Sequence, residues 1–248
     1  MKPNLDGKCI LITRPRKQAE VFAEKIEQAG GRPVIIDLLQ IDCFKDQMKT
    51  YEEIRRYDWF FFTSANGVHC YFRLYGCLPE SGKVAAVGPK TAMALRTHGH
   101  EADFIPHIYH AETMASAFGS RYNLNQSVLL IQGQRARPVL EDVFTASGRS
   151  VSTLKVYETH INNEMKGPLQ DILESRSLDI MTFTSPSAVE AFAALGDVAS
   201  VKGMAVVCIG TTTERAARAV GFSTVIIPST YTIEGMIAAM SDYIKGDD

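Results

Sequence analysis

The sequence predicts an α/β protein made of two doubly wound parallel sheets, and three observations predict it. First, residues 84–106 (VAAVGPKTAMALRTHGHEADFIP) and 206–228 (VVCIGTTTERAARAVGFSTVIIP) align without a gap. Each is an apolar run, a glycine turn, a helical pattern, a second glycine and a second apolar run, which is a strand–helix–strand unit stated twice. Second, the echo extends upstream. WFFFTSANGVHCYF at 59–72 matches IMTFTSPSAVEAFA at 180–193, ILITR at 10–14 resembles VLLIQ at 128–132, and AGGR at 29–32 resembles ASGR at 146–149. Third, strand and helix patterns alternate over the whole length, which implies parallel sheets covered on both faces. Half of a 248-residue chain is a plausible size for one domain. Each copy supplies five strands, so the natural arrangement is a flavodoxin-like sheet, twice.

Each element follows from a local pattern. Residues 8–13 are a short apolar strand that Arg14-Pro15 breaks. In 17–29, Ala19, Val21, Phe22, Ile26 and Ala29 recur at near-helical spacing, and Gly30-Gly31 ends that helix. Strand 33–38 follows. Gln40 and Asp42 interrupt the apolar run at 39–44, which suits an extended connection rather than a core strand. A charged, short helix is expected over 46–56, then strand 58–63 and helix 64–74. The first repeat unit gives strand 84–87, helix 90–98 and strand 102–105. Helix 111–118 and a loop at 123–125 lead to strand 128–132, helix 138–147 and strand 151–157. Helix 164–174, strand 179–184, helix 186–195, strand 205–209, helix 212–220, strand 224–227 and helix 233–244 complete the alternation.

Composition excludes several classes. A net charge of -2 gives no global basic field for nucleic acid or an anionic membrane. No apolar run is long enough to span a bilayer, and MKPNLDGK lacks the apolar core of a secretory signal. Cys9, Cys43, Cys70, Cys77 and Cys208 are odd in number with no CxxC pair, so a reduced, cytoplasmic protein is expected. There is no GxGxxG or GxxxxGK[ST] for a phosphate loop. Ser64 and Ser185 lack the GxSxG elbow. His98, His100, His107 and His110 lack a Cys or Glu at ligand spacing, so no metal is expected.

Ligands of open α/β sheets bind beyond the carboxyl ends of the strands. Those ends here are Thr13-Arg14-Pro15, Thr63-Ser64-Ala65-Asn66, Gly88-Pro89-Lys90-Thr91, Gln132-Gly133-Gln134-Arg135, Thr184-Ser185-Pro186-Ser187 and Gly210-Thr211-Thr212-Thr213. Nearly all join a hydroxyl or glycine to a helix start, where free N–H groups favour anions. For any one serine or threonine, a plain helix cap is the better reading. Six such ends raise binding above it. Arg14, Arg16 and Lys17 cluster at one loop and Arg135 with Arg137 at its repeat-equivalent, and guanidinium groups suit carboxylates. Any one such cation alone reads as solvated surface.

Seven motifs, taken in order, resemble one family: ILITRP at 10–15, the AGG turn at 29–31, FTSANGV at 62–68, VGPKTAMAL at 87–95, KVYET at 155–159, FTSPSAV at 183–189 and CIGTTTERA at 208–216. They resemble uroporphyrinogen-III synthase over essentially the whole chain. The resemblance implies cyclisation of hydroxymethylbilane, a linear tetrapyrrole with eight carboxylates, with inversion of the last pyrrole ring and loss of water. It implies no metal, no organic cofactor and a monomer.

The repeat alone would cut the chain near Asn125. The resemblance implies exchanged halves instead: residues 1–38 with 161–248 as one domain, 44–154 as the other, and 39–43 and 155–160 as a two-stranded connector. The active site would be the cleft between them. Tyr157 is then the expected proton donor to the leaving hydroxyl. Thr91, Thr212 and Thr213 would line the cleft with Ser64 and Ser185, and Arg14, Gln132 and Arg135 complete the expected substrate-binding set. Two other readings stay open: a non-catalytic two-domain anion-binding module, and a nucleotide-dependent transferase, which the missing phosphate loops weaken.

Overall fold

The structure, a computed structural model, describes residues 3–44, 50–106 and 111–246. In chain order the elements are β1 (Cys9–Ile12), α1 (Arg16–Gln28), β2 (Arg32–Ile35), β3 (Leu39–Cys43), α2 (Tyr51–Ile54), β4 (Trp59–Phe62), α3 (Ala65–Tyr75), β5 (Lys83–Ala86), α4 (Pro89–Thr97), α5 (Ala111–Arg121), β6 (Val128–Gly133), α6 (Val139–Ala146), β7 (Val151–Ile161), α7 (Lys166–Glu174), β8 (Ile180–Phe183), α8 (Pro186–Leu195), β9 (Ala205–Cys208), α9 (Thr211–Ala219), β10 (Val225–Ile226) and α10 (Ile233–Gly246). The chain divides into two compact units, Met1–Gln40 with His160–Asp248, and Ile41–Thr159.

The first unit holds a five-stranded sheet in the order β10-β9-β8-β1-β2. Its pairs are parallel. Strands covered on both faces have no polar side to show, which is why β1 and β9 read as unbroken apolar runs. In β8 the one polar residue, Thr182, is buried and donates its hydroxyl to the Leu11 carbonyl at 2.8 Å. Alternate residues go to opposite faces. Leu11, Met181, Phe183 and Val206 join one apolar cluster, while Ile10, Ile12, Ile180 and Val207 join the other. Helix α1 buries Ala19, Phe22 and Ile26. It ends where Gly30 takes φ 81°, a left-handed conformation that lets the Gly31 N–H return to the Ile26 carbonyl.

The second unit holds the sheet β3-β7-β6-β4-β5. The registers of β4 with β5 and β6, and of β6 with β7, are parallel. Phe60, Phe62, Leu129 and Ile131 face one cluster; Trp59, Phe61, Val128 and Leu130 face the other. A buried arginine, Arg149, braces the turn into β7. Its Nη1 donates to the carbonyls of Asn123 and Gln126, its Nη2 to that of Tyr122, and its guanidinium lies 4.8 Å from the Phe118 ring centre.

Residues 39–43, expected as an extended connection rather than a core strand, are extended: they form β3, lying beside β7. Their polar residues are tolerated because β3 is an edge strand: Gln40 and Asp42 are exposed. Three other expectations need correction. Residues 102–105 make only an isolated bridge, Ala85 with Phe104, because the Asp103 carboxylate takes the Val84 N–H at 2.8 Å. The helix expected over 46–56 is the single turn α2, capped by Thr50 and Glu53; residues 45–49 lie outside the described residues. Finally, the cysteines are not all thiols. Cys43 on β3 is disulfide-bonded to Cys70 on α3, while Cys9, Cys77 and Cys208 are free. The partners lie 27 residues apart in different elements, so no local spacing announces the pair.

Candidate active site

A cavity of about 530 Å³ lies in the second unit, at the carboxyl ends of β4, β6 and β7. Tyr157, Ser64, Gln132 and Arg135 all border it, as do Gly133 and Arg137. The sequence reading therefore brings four of its candidates to one place. Local structure explains how.

Ser64 ends the extended run of β4 and caps α3. Its Oγ accepts the Gly67 N–H at 3.0 Å, and it stands 3.0 Å from the Tyr157 hydroxyl. The cap role foreseen for a lone serine is thus real, and it is combined with a contact to the tyrosine. Gln132 is buried near the end of β6, with Nε2 donating at 3.5 Å to Thr153 Oγ1. Thr153 in turn donates to Glu141 Oε2 at 2.7 Å. Arg135 and Arg137 sit in the turn before α6 with exposed side chains, so they offer guanidinium groups at the rim.

Tyr157 departs from simple alternation. The sequence sets Thr153, Lys155 and Tyr157 on one side of β7, and Leu154 with Val156 on the other. In the structure the ladder slips between Gln132 and Gly133: Gln132 pairs with Lys155, but Gly133 pairs with Tyr157. Val156 is the extra residue, and Tyr157 packs against the same cluster as Leu154 and Val156. A bulge re-aims a side chain in this way. It turns the phenol toward the N-terminus of α3.

Thr91 is buried in the first turn of α4 and does not border this cavity. Lys155 is half-buried on β7, and burial lowers its tendency to hold a proton while Glu141 opposes that.

The remaining candidates belong to the first unit, at the carboxyl ends of β1, β8 and β9. Ser185 caps α8 by accepting the Ala188 N–H at 3.2 Å. Thr212 is exposed and Thr213 buried in the first turn of α9. Arg14 donates from Nη2 to Gln18 Oε1 at 2.8 Å, and its buried Nε has no partner among the described residues. Burial makes the Arg14 cation less favourable than in water.

Asp37, which the sequence reading missed, follows β2. It accepts the Arg16 N–H at 3.0 Å, and burial pushes its carboxyl up from the usual range. The reason emerges only with the structure: β1 and β2 pair with Cys9 opposite Arg32, and that register carries Asp37 to the level of Arg14. The side chain of Lys17 and residues His107 and His110 lie outside the described set. Among the described residues no group of three His, Cys, Asp or Glu could hold a metal ion.

Each unit is a mainly parallel α/β sheet with hydroxyls, helix starts and guanidinium groups at its strands' carboxyl ends, the class of protein that holds ligands at those ends. The family model for uroporphyrinogen-III synthase HemD matches residues 20–238. The chain belongs to the uroporphyrinogen-III synthase family. It is 29% identical over 246 residues to the porphyrin biosynthesis protein HemD of Ruminiclostridium josui, covering 96% of this chain and 49% of that one. It thus spans about half the length of that relative. It is 27% identical over 247 residues to the uroporphyrinogen-III synthase of Chlorobaculum parvum, covering 96% of this chain and 100% of the other. The solved uroporphyrinogen-III synthetase of Helicobacter pylori shares the fold, with a TM-score of 0.65 at 15% identity and full coverage of both chains.

Proposed function

We propose that this chain acts as a uroporphyrinogen-III synthase, a cyclising lyase of tetrapyrrole biosynthesis. Membership of the family is the observation that carries the reading. The substrate is hydroxymethylbilane, and the products are uroporphyrinogen III and water. The two units serve as two flavodoxin-like domains, with strands 39–43 and 155–160 as the connection, and the protein works as a cytoplasmic monomer. Among the described residues no helix is long and apolar enough to cross a membrane.

Tyr157 is the proton donor in this reading. Its phenol gives a proton to the departing hydroxyl, which leaves as water while the pyrrole nitrogen supplies electron density. The electrophilic azafulvene so formed is attacked by the last ring through a spiro intermediate. The ring carbon that finally closes the macrocycle loses a proton, which restores the phenol, so there is no net proton uptake. General acid help of this kind contributes roughly a hundredfold or more. Holding the flexible chain in a productive geometry does much of the remaining work. Arg135 and Arg137 at the rim, and Arg14 in the first unit, meet substrate carboxylates. Ser64, Thr91, Gln132, Ser185, Thr212 and Thr213 supply hydroxyls, an amide and helix starts to the rest.

The test is to incubate the protein with freshly made hydroxymethylbilane, oxidise, and separate the porphyrin isomers. Type III product is expected. Type I alone, the outcome of spontaneous closure, would sink the reading and leave an anion-binding module. Tyr157→Phe is expected to fold and to lose most type III turnover with KM little changed. Wild-type turnover in that variant would remove the proton-donor role.

A further inference from the structure

Gly133 ends β6 and faces Tyr157 across the ladder. Its backbone is not left-handed, since it is absent from the glycines with positive φ. Backbone conformation therefore does not demand glycine here. The tyrosine does. A Cβ added to Gly133 would stand 2.7 Å from Tyr157 Cζ, 2.9 Å from Cε2 and 3.0 Å from the hydroxyl oxygen. Carbon atoms in contact rest about 3.5–4.0 Å apart. The phenol end of the ring therefore occupies the space that a side chain at 133 would need.

Backbone and ring are fixed by different things. The Gln134 N–H holds the Tyr157 carbonyl at 2.8 Å, and the Val156 carbonyl accepts the Phe44 N–H at 3.1 Å. The strand is therefore pinned at both flanks. The phenol itself is set by the Gly133 face and by the Ser64 hydroxyl. The atoms that a methyl group would meet are the far end of the side chain, and the ring borders an open cavity. A methyl group at 133 would thus move the ring into the cavity and leave the sheet in place.

We propose that Gly133 is a positioning residue for Tyr157: its missing side chain is the seat that aims the phenol, and any side chain there lowers turnover by displacing the hydroxyl. The proposal rests on the reading of Tyr157 as proton donor. A displacement of about an ångström in a reacting group can cost roughly a hundredfold in rate.

The experiment compares Gly133→Ala, Tyr157→Phe and the double variant for type III turnover and thermal unfolding. Fluorotyrosine-labelled protein is followed by fluorine NMR in parallel, with the Tyr157 resonance assigned by its loss in Tyr157→Phe. Gly133→Ala should melt close to wild type, shift the Tyr157 resonance, and lower kcat by roughly tenfold or more with KM little changed. In the Phe background the same glycine change should cost no further turnover, because the group it misplaces is already gone.

Wild-type turnover of Gly133→Ala, beside an impaired Tyr157→Phe, overturns the proposal and leaves the tyrosine reading standing. Independent, multiplying losses in the double variant overturn it as well, since Gly133 would then act through something else. An unfolded Gly133→Ala protein overturns it too, because the ring would be locked core rather than a seated group. Near-normal turnover of Tyr157→Phe removes the underlying reading, and the proposal with it.

Discussion

The hydroxyl of Tyr157 stands 3.0 Å from Ser64 Oγ, and the same oxygen accepts the Gly67 N–H at 3.0 Å. One serine therefore closes the amino end of α3 and holds the phenol. These two roles separate by substitution. Losing a serine cap to alanine costs about 1 kcal/mol, and to glycine only a few tenths. Ser64→Ala and Ser64→Gly should therefore differ in urea midpoint yet lose similar amounts of type III turnover, while Ser64→Thr should recover most of it. Turnover that follows stability across the three variants would show that Ser64 is only a cap.

Arg135 and Arg137 border the cavity with exposed side chains. Each would meet one carboxylate among eight, in the ground state and the transition state alike. Arg135→Ala and Arg137→Ala are expected to raise KM with kcat nearly unchanged. Steady-state kinetics that leave KM untouched in both would mark them as solvated surface.

Arg149 gives hydrogen bonds to three backbone carbonyls and stacks against Phe118. Arg149→Met would remove all three hydrogen bonds from this half-buried turn, at a cost of about 3 kcal/mol. Arg149→Lys should recover little, because a single ammonium cannot reproduce the planar fork. Chemical denaturation measures both. A lysine variant as stable as wild type would mean that charge, not shape, is what this site needs.

The Cys43–Cys70 bond closes a 27-residue loop that ties the edge strand β3 to α3. Restricting the unfolded chain over such a loop is worth about 3 kcal/mol. Guanidinium melts with and without reductant should differ by that order, and Cys70→Ser should match the reduced protein under both conditions. Coincident melts would show that the loop gains nothing from the bond.

His98 stacks on Phe72 with ring centres 4.4 Å apart and stands 3.0 Å from His69 Nδ1. Burial, helped by the nearby His100, lowers its pKa below the ordinary histidine value of 6.5. A group that binds its proton less well when folded adds stability above its unfolded pKa and loses it as pH falls through the folded one. Stability should therefore fall as pH is lowered below 6.5, and His98→Gln should flatten that slope. Urea midpoints across this range, with parallel slopes for both proteins, would exclude His98 as a source.

Much of the fold is legible because parallel strands are buried on both faces. CILI, WFFF and AVVC are unbroken apolar runs for that reason, and the pattern finds them. Sheet membership is harder. The repeat suggests a boundary near Asn125, whereas β1 hydrogen-bonds to β8, far along the chain, a pairing no local pattern encodes. The cavity was half legible. Ser64, Gln132 and Arg135 stand at strand ends, where a fold-level rule looks for them. The aim of Tyr157 depends on a one-residue slip opposite Gly133, and alternation along β7 predicts the wrong side. Asp103 shows the converse: a single carboxylate reduced an expected strand to one bridge.

The pairing of β1 with β8 also bears on how the chain is made. Synthesis delivers β1 and β2 first, but the inner edge of β1 stays without its neighbour until β8 emerges. All of Ile41–Thr159 is translated in between. That later segment contains every strand of its own sheet except the first residues of β3 and the last of β7, so it can consolidate while the opening segment waits. On the ribosome the part begun first is the part finished last. Until then its apolar strand edge is what chaperones, or a neighbouring nascent chain, would find exposed.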